Sequence, residues 1–294
     1  MTAGALRPAT YAKYYEAKPD ISDGDAVQSW ITRSGNMVVV ISNCKAGAVL
    51  ERAGNPDESM VLLPPGVTAL IEASNDRIEA ADDSLTIVPP GQSRVTVRQP
   101  GTVVRIFSNK AADLAARAAN SAVYADGASE LAPIVPWPDP VGGFRLRHYP
   151  LADCASPDPS PLKMRVFRST NLMVNLFLPW PTPRDETRLS PHSHDDFEQI
   201  SLALAGTFGH HLRYPWTADK TNWRDDEHVV FESPSALVIP ARVIHTSHNI
   251  GTATARLVDI FAPPRRDFSQ KPGFVLNAAD YPMPNKDQPR IVRS

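Results

Sequence analysis

Short apolar runs bounded by turn residues recur along the whole chain. Residues 37–41, 60–63, 85–88, 95–97 and 103–107 are rich in Val, Ile and Leu and are flanked by Pro, Gly, Asn or Asp. Runs of this length and composition predict strands at sandwich or barrel spacing. One helix is predicted over residues 110–119, alanine-rich and exposed in character. Eight prolines then fall between residues 133 and 161, so residues 126–163 read as a connection draped over the surface. A second strand series follows at residues 173–177, 199–205, 208–214, 228–231, 236–239 and 256–261.

The two series read as copies of one unit. Residues 58–66 lie over 198–206 at an offset of 140, and residues 85–89 over 236–240 at 151. Residues 104–107 match 258–261 at 154, and upstream 33–37 match 168–172 at 135. A growing offset places the added residues in loops, where insertions are tolerated. Four blocks in the same order favour a tandem duplication of a small β-barrel over chance similarity of apolar strands. Residues 1–125 then form the first barrel and residues 164–294 the second.

Composition narrows the picture. A chain of 294 residues that is 42% hydrophobic can bury a real core, which excludes wholesale disorder. Its 29 prolines, about twice the roughly 5% average usage, suit short strands better than helices. The formal charge of −2 with no basic run argues against nucleic acid as a partner. No apolar run reaches the ~18 residues needed to span a bilayer. The first twenty residues lack the basic-then-apolar order of a leader, so a cytoplasmic location is expected. Cys44 and Cys154 stand far apart with no CxxC spacing, which speaks against a disulfide framework or a Cys-based zinc site.

The histidines are placed unevenly, and they point to chemistry. None of the eight lies before residue 148, and seven fall between His192 and His248. In Pro191-His-Ser-His-Asp-Asp-Phe-Glu198, His192 and His194 are two apart, so an extended backbone aims both to one face. Glu198 opens the next strand after a short turn, and His245 arrives from a second Pro-bounded turn at Pro240. Three imidazoles and one carboxylate converging in a barrel make a site for Fe, Mn, Ni, Co or Zn.

These residues carry a resemblance. The segment 192–249 resembles the two motifs of the cupin superfamily, HxHxxxE with a downstream Gly and then PxRxxHxxxN, on His192, His194, Glu198, Gly206, Pro240, His245 and Asn249. The resemblance implies an all-β chain of two tandem double-stranded β-helix (jelly-roll-like) barrels with few helices, similar to the bicupins and their two-domain dioxygenases. It implies one divalent transition metal per chain, Fe(II) favoured, held by His192, His194, Glu198 and His245. The glycine usual before the second-motif histidine is Arg242 here. In the first copy Arg52, Gly54 and Arg94 fall opposite His192, His194 and His245, and guanidiniums cannot ligate a cation. That barrel is expected to be metal-free, with Glu58 paired to an arginine.

Around the motif, Gln199 is expected to face away from the site and to be structural. His210 and His211 are adjacent on a strand, so one points inward and one outward; the inward one is the candidate acid–base group. His248 reads as a solvated neighbour, and Asp259 as core packing. The leading functional expectation is a mononuclear Fe(II) dioxygenase acting on a small oxygen-chelating substrate such as an enolate, diketone or catechol. With Glu198 as ligand an M(II) site would keep a net +1 charge. The alternatives are a non-redox isomerase, lyase or hydrolase on a sugar acid or keto acid, and a non-catalytic module that binds a small ligand or metal. Barrels with sheet edges to cover suggest a homodimer.

Overall fold

The computed structural model describes residues 6–159 and 162–284. Residues 1–5 of the segment read for a leader, Pro161 of the proline run, and the end of the second half past residue 284 lie outside the described residues.

The described residues form two pairs of antiparallel sheets with only short helices. In the first barrel a seven-stranded sheet runs in the order Arg147–Pro150, Ser84–Val88, Ser59–Leu63, Gly101–Ser108, Met37–Cys44, Val27–Arg33, Ile21–Asp23. It packs on a four-stranded sheet of Val49–Asn55, Gly91–Val97, Ala69–Ala73 and Asp76–Ala80. In the second barrel the six-stranded order is Thr10–Lys13, Ser235–Ile239, Gln199–Ala205, Arg256–Phe261, Met173–Phe177, Met164–Arg168. Its companion is a three-stranded sheet of Glu227–Phe231, Phe208–Arg213 and Ile244–Asn249.

Each large sheet closes on a strand from elsewhere in the chain. Thr10–Lys13, read from sequence as part of the first barrel, pairs with Ser235–Ile239 of the second. Arg147–Pro150, read as connection, pairs with Ser84–Val88 of the first. The helix is shorter than expected, Ala112–Arg117, and it is not simply exposed. Leu114 and Ala115 pack under it against Ile31, Val38 and Phe107.

Strand alternation divides the large sheets into two faces. Met60, Leu62, Val104 and Ile106 of one barrel meet Ile200, Leu202, Val258 and Ile260 of the other in a shared apolar core. The intervening residues face the barrel interiors. In the first barrel these are aliphatic, Val61, Leu63, Val88 and Val103 packing on Ile71 and Val95. In the second they include Gln199, Ser201 and Asp259, all buried or nearly so. One barrel is filled by its core; the other is lined by polar groups.

The duplicated glutamates join the two halves. Glu198 Oε2 accepts the Gly35 N–H at 2.7 Å, and the Tyr124 hydroxyl donates to the same carboxylate at 3.1 Å. Reciprocally, Glu58 Oε2 accepts the N–H and hydroxyl of Thr170 at 3.0 and 2.9 Å, and Oε1 the Tyr281 hydroxyl at 2.8 Å. Glu58 therefore pairs with a turn of the opposite repeat rather than with an arginine. Gly35 leaves room for this close approach, since an added β-carbon would lie 2.8 Å from Ala128 Cβ and 2.4 Å from Leu131 Cδ1.

Candidate metal centre

His192, His194 and His245 converge, with a ring nitrogen from each lying within 4.8 Å of the others. His192 and His245 are tied through their backbones, N–H to carbonyl in both directions at 3.1 and 2.8 Å. The turn that delivers His245 contains Arg242 at φ +68°, the left-handed conformation a glycine adopts freely. Its N–H bonds the His194 carbonyl at 2.5 Å, which links the two motifs. A side chain in that conformation costs roughly 1 kcal/mol. Arg242→Gly is accordingly expected to stabilise the chain slightly, by about 0.5–1 kcal/mol, as read by the urea midpoint.

Hydrogen bonds fix the tautomers. His192 Nδ1 lies 2.9 Å from the Ser190 carbonyl and His245 Nδ1 lies 2.9 Å from the Val243 carbonyl. Since a carbonyl only accepts, both Nδ1 atoms carry the proton and both Nε2 atoms carry the lone pair. Nε2 of His245 is buried with no hydrogen-bond partner. Burial pushes His194 down to about 3 and His245 down to about 4, and lowers His192 as well. At neutral pH all three rings are uncharged donors, the form a transition metal requires.

The side chain that stands beside the three histidines is Gln199, not Glu198. In the strand Gln199–Ala205, residues 199 and 201 face the barrel interior while Ile200 and Leu202 face the other barrel. Glu198 shares the parity of Ile200, so its carboxylate enters the inter-barrel contact described above and is absent from the histidine cluster. Gln199 Oε1 lies 3.0 Å from His194 Nε2. Its Nε2 donates to Ser201 Oγ at 2.8 Å, and that hydroxyl donates to Asp259 Oδ1 at 2.6 Å. This chain turns the carboxamide so that its oxygen faces the imidazoles. Asp259, read from sequence as packing, sits in the wall of the site, and burial pushes its carboxyl up to about 6.

The remaining candidates separate by strand parity. His210 points inward, buried, with Nδ1 2.7 Å from Ser247 Oγ and its ring between Phe208 and Phe231. His211 points to the opposite face, toward His228 and His248, which removes it from the interior acid–base role. His248 is buried rather than solvated. In the first barrel Arg52 pairs with Asp113 at 2.6 Å and Arg94 with Glu51 at 3.7 Å, while Gly54 lies exposed on its strand. A cavity of about 50 Å³ borders the cluster, lined by His192, His245, Gln199, Ser201, Asp259 and Arg184. Arg184 is held there by bonds to the Ser247 and Arg188 carbonyls and to Ser190 Oγ, each 3.1 Å.

No protein-family model and no curated protein matches the sequence. Solved structures do match the fold. AerE from Microcystis aeruginosa superposes with a TM-score of 0.56 at 10% identity, covering 88% of this chain and 99% of its own. Oxalate decarboxylase from Lactobacillus farciminis, in a formate complex, gives 0.59 at 14% identity over 90% of this chain and 88% of its own. Oxalate decarboxylase OxdC of Bacillus subtilis gives 0.60 at 12% identity over 90% and 79%. Among the described residues no helix is long and apolar enough to cross a membrane. The duplicated barrels, the shared inter-sheet core and these likenesses give the chain the all-β, two-barrel fold of the bicupins.

Proposed function

We propose that the protein is a mononuclear metal-dependent enzyme whose ion is held in the second barrel by Nε2 of His192, His194 and His245 and by Oε1 of Gln199. The observation that supports this is the convergence of three neutral imidazoles, with the His192 and His245 tautomers leaving their Nε2 lone pairs free and His194 Nε2 donating to Gln199 Oε1 until an ion takes its place. All four donors are uncharged, so an M(II) ion would keep its full +2 charge instead of the +1 expected with Glu198. A site of that charge favours an anionic substrate that chelates through two oxygens, such as the enolate of a diketone or a catecholate. The bound ion supplies Lewis-acid polarisation of those oxygens. The chain's own groups do the rest. Arg184 adds positive charge at the rim, Ser201 and Asp259 hold the carboxamide, and the rings of Phe197 and Phe261 pack against His194 and fix its orientation.

The reaction class proposed first is Fe(II)-dependent dioxygenation. Oxygen uptake by the Fe(II)-loaded protein with a panel of diketones and catechols tests it, and uptake should vanish in His194→Ala together with the bound iron. The second reading is oxygen-independent cleavage or isomerisation of a small acid. Arg184 at the cavity favours it by offering a carboxylate partner, and two of the structural neighbours are named as oxalate decarboxylases. Anaerobic turnover of a keto acid or sugar acid would select this reading and discard the first. Fe, Mn, Ni, Co and Zn all suit the donor set, and the aliphatic filling of the first barrel by Val61, Leu63 and Val88 supports a single ion per chain. We propose a homodimer as the working assembly; light scattering should give twice the 32.1 kDa chain mass.

A further inference from the structure

The outer face of the three-stranded sheet carries imidazoles that the barrel site leaves unused. His211 stands directly opposite His228 on one neighbouring strand, and Gly209 stands opposite His248 on the other. A β-carbon on Gly209 would lie 2.8 Å from Nε2 of His248. The missing side chain is what lets the His248 ring lie across the strand and reach His211. The three rings form a row, with His211 Nδ1 2.7 Å from His228 Nδ1 and His211 Nε2 3.1 Å from His248 Nε2. Beyond the row, Nδ1 of the buried His248 faces the Glu186 carboxylate at 3.9 Å. At the His228 end it opens onto a surface cavity of about 230 Å³.

We propose that His211 and His248 form a second transition-metal site, taking one ion of the Zn(II), Ni(II) or Cu(II) class between their Nε2 atoms. The outer partners set the donors. In the tautomer in which His211 donates from Nδ1 to His228 and His248 carries its proton on Nδ1, on the side of the Glu186 carboxylate 3.9 Å away, both Nε2 lone pairs are free for an ion. Two nitrogens bound side by side at about 2.0–2.1 Å from an ion lie roughly 3 Å apart, and these two stand at 3.1 Å. A carboxylate or second imidazole on the far nitrogen is the usual way a ligand histidine is held and made more basic. With two protein donors and water completing the shell, the site binds more weakly than the barrel centre.

The test is equilibrium dialysis of EDTA-stripped protein against saturating free Zn(II) at neutral pH, with zinc counted per chain. Wild type should take two ions, and His248→Ala and His211→Asn one each. The double variant His192→Ala/His194→Ala should keep one, and that ion should disappear when His248→Ala is added. Folding of every variant is checked by circular dichroism. If neither His248→Ala nor His211→Asn lowers the count, the row is only a chain of N–H···N hydrogen bonds and the proposal fails. If the barrel takes no ion, wild type binds one that His248→Ala removes and His192→Ala/His194→Ala does not, so the two readings fail separately.

Discussion

Replacing Glu198 by Ala is expected to destabilise the chain by about 3 kcal/mol and to leave the metal content of the second barrel unchanged. The carboxylate is buried, and it is the acceptor for the Gly35 N–H and the Tyr124 hydroxyl. Truncation strands both donors in the inter-barrel contact, each at roughly 1–3 kcal/mol, with a small cavity in addition. A melting temperature lower by roughly 5–10 °C follows for a chain of this size. Gln199→Ala should behave in the opposite way. Its carboxamide lies 3.0 Å from His194 Nε2, so metal affinity should fall at least 10–100-fold, a loss that Glu198→Ala should not show. Calorimetric melts with and without EDTA, alongside metal analysis, read both variants. Loss of metal in Glu198→Ala with an unchanged melt would restore the carboxylate as a ligand.

Metal affinity at the barrel site should fall far less between pH 8 and about pH 5 than at an ordinary three-histidine site. Three histidines titrating at the usual ~6.5 would each be about 97% protonated at pH 5, and competition would weaken binding by roughly four orders of magnitude. Here burial holds His194 down to about 3 and His245 down to about 4, with His192 also lowered. The sign is direct. A ring whose pKa is lowered keeps its lone pair to lower pH, so protons compete only below the lowered values. Affinity should then fall steeply below pH 4–5. Competition titrations with a chelating dye across pH 4.5–8 check this. A loss of about one and a half decades between pH 7 and 6 would show that the rings titrate as if exposed.

The histidines were legible in the sequence because their spacing is rigid. HxH on an extended backbone and a later PxxxxH can be aimed at one point without knowing the loops. The fourth donor was not. Glu198 and Gln199 are adjacent, and the motif that the segment resembles puts its carboxylate at Glu198, opposite Glu58 of the first copy. What the duplication preserves there is the pair of reciprocal inter-barrel contacts. A usable signal was present in the strand itself, where apolar Ile200 and Leu202 alternate with polar Gln199 and Ser201. Two faces of different polarity assign the glutamine to the lined interior and its neighbour to the other barrel. The same parity, applied to Asp259 between Val258 and Ile260, would have marked it as a wall residue. His210 and His211 could not be assigned this way, because Phe208 and Leu212 are as compatible with one interior as with the outer core. Strands such as Val49–Asn55 and Thr10–Lys13 escaped notice because they are polar edge elements whose pairing is set by the distant chain they meet.

The crossed edge strands mean that neither barrel is a detachable module. A protease cut within residues 126–145 would leave an N-terminal piece holding Thr10–Lys13, whose hydrogen-bonding partner Ser235–Ile239 lies in the other piece. The C-terminal piece would hold Arg147–Pro150 and strip Ser84–Val88 of its cover. Each fragment alone would present a bare sheet edge beside an exposed apolar face, a surface that recruits other strands. The nicked chain would instead stay clasped as a non-covalent pair. During synthesis, moreover, the ribosome must release nearly the whole polypeptide before the first strand made finds its neighbour, so a stalled or truncated product is an aggregation hazard rather than a smaller working protein.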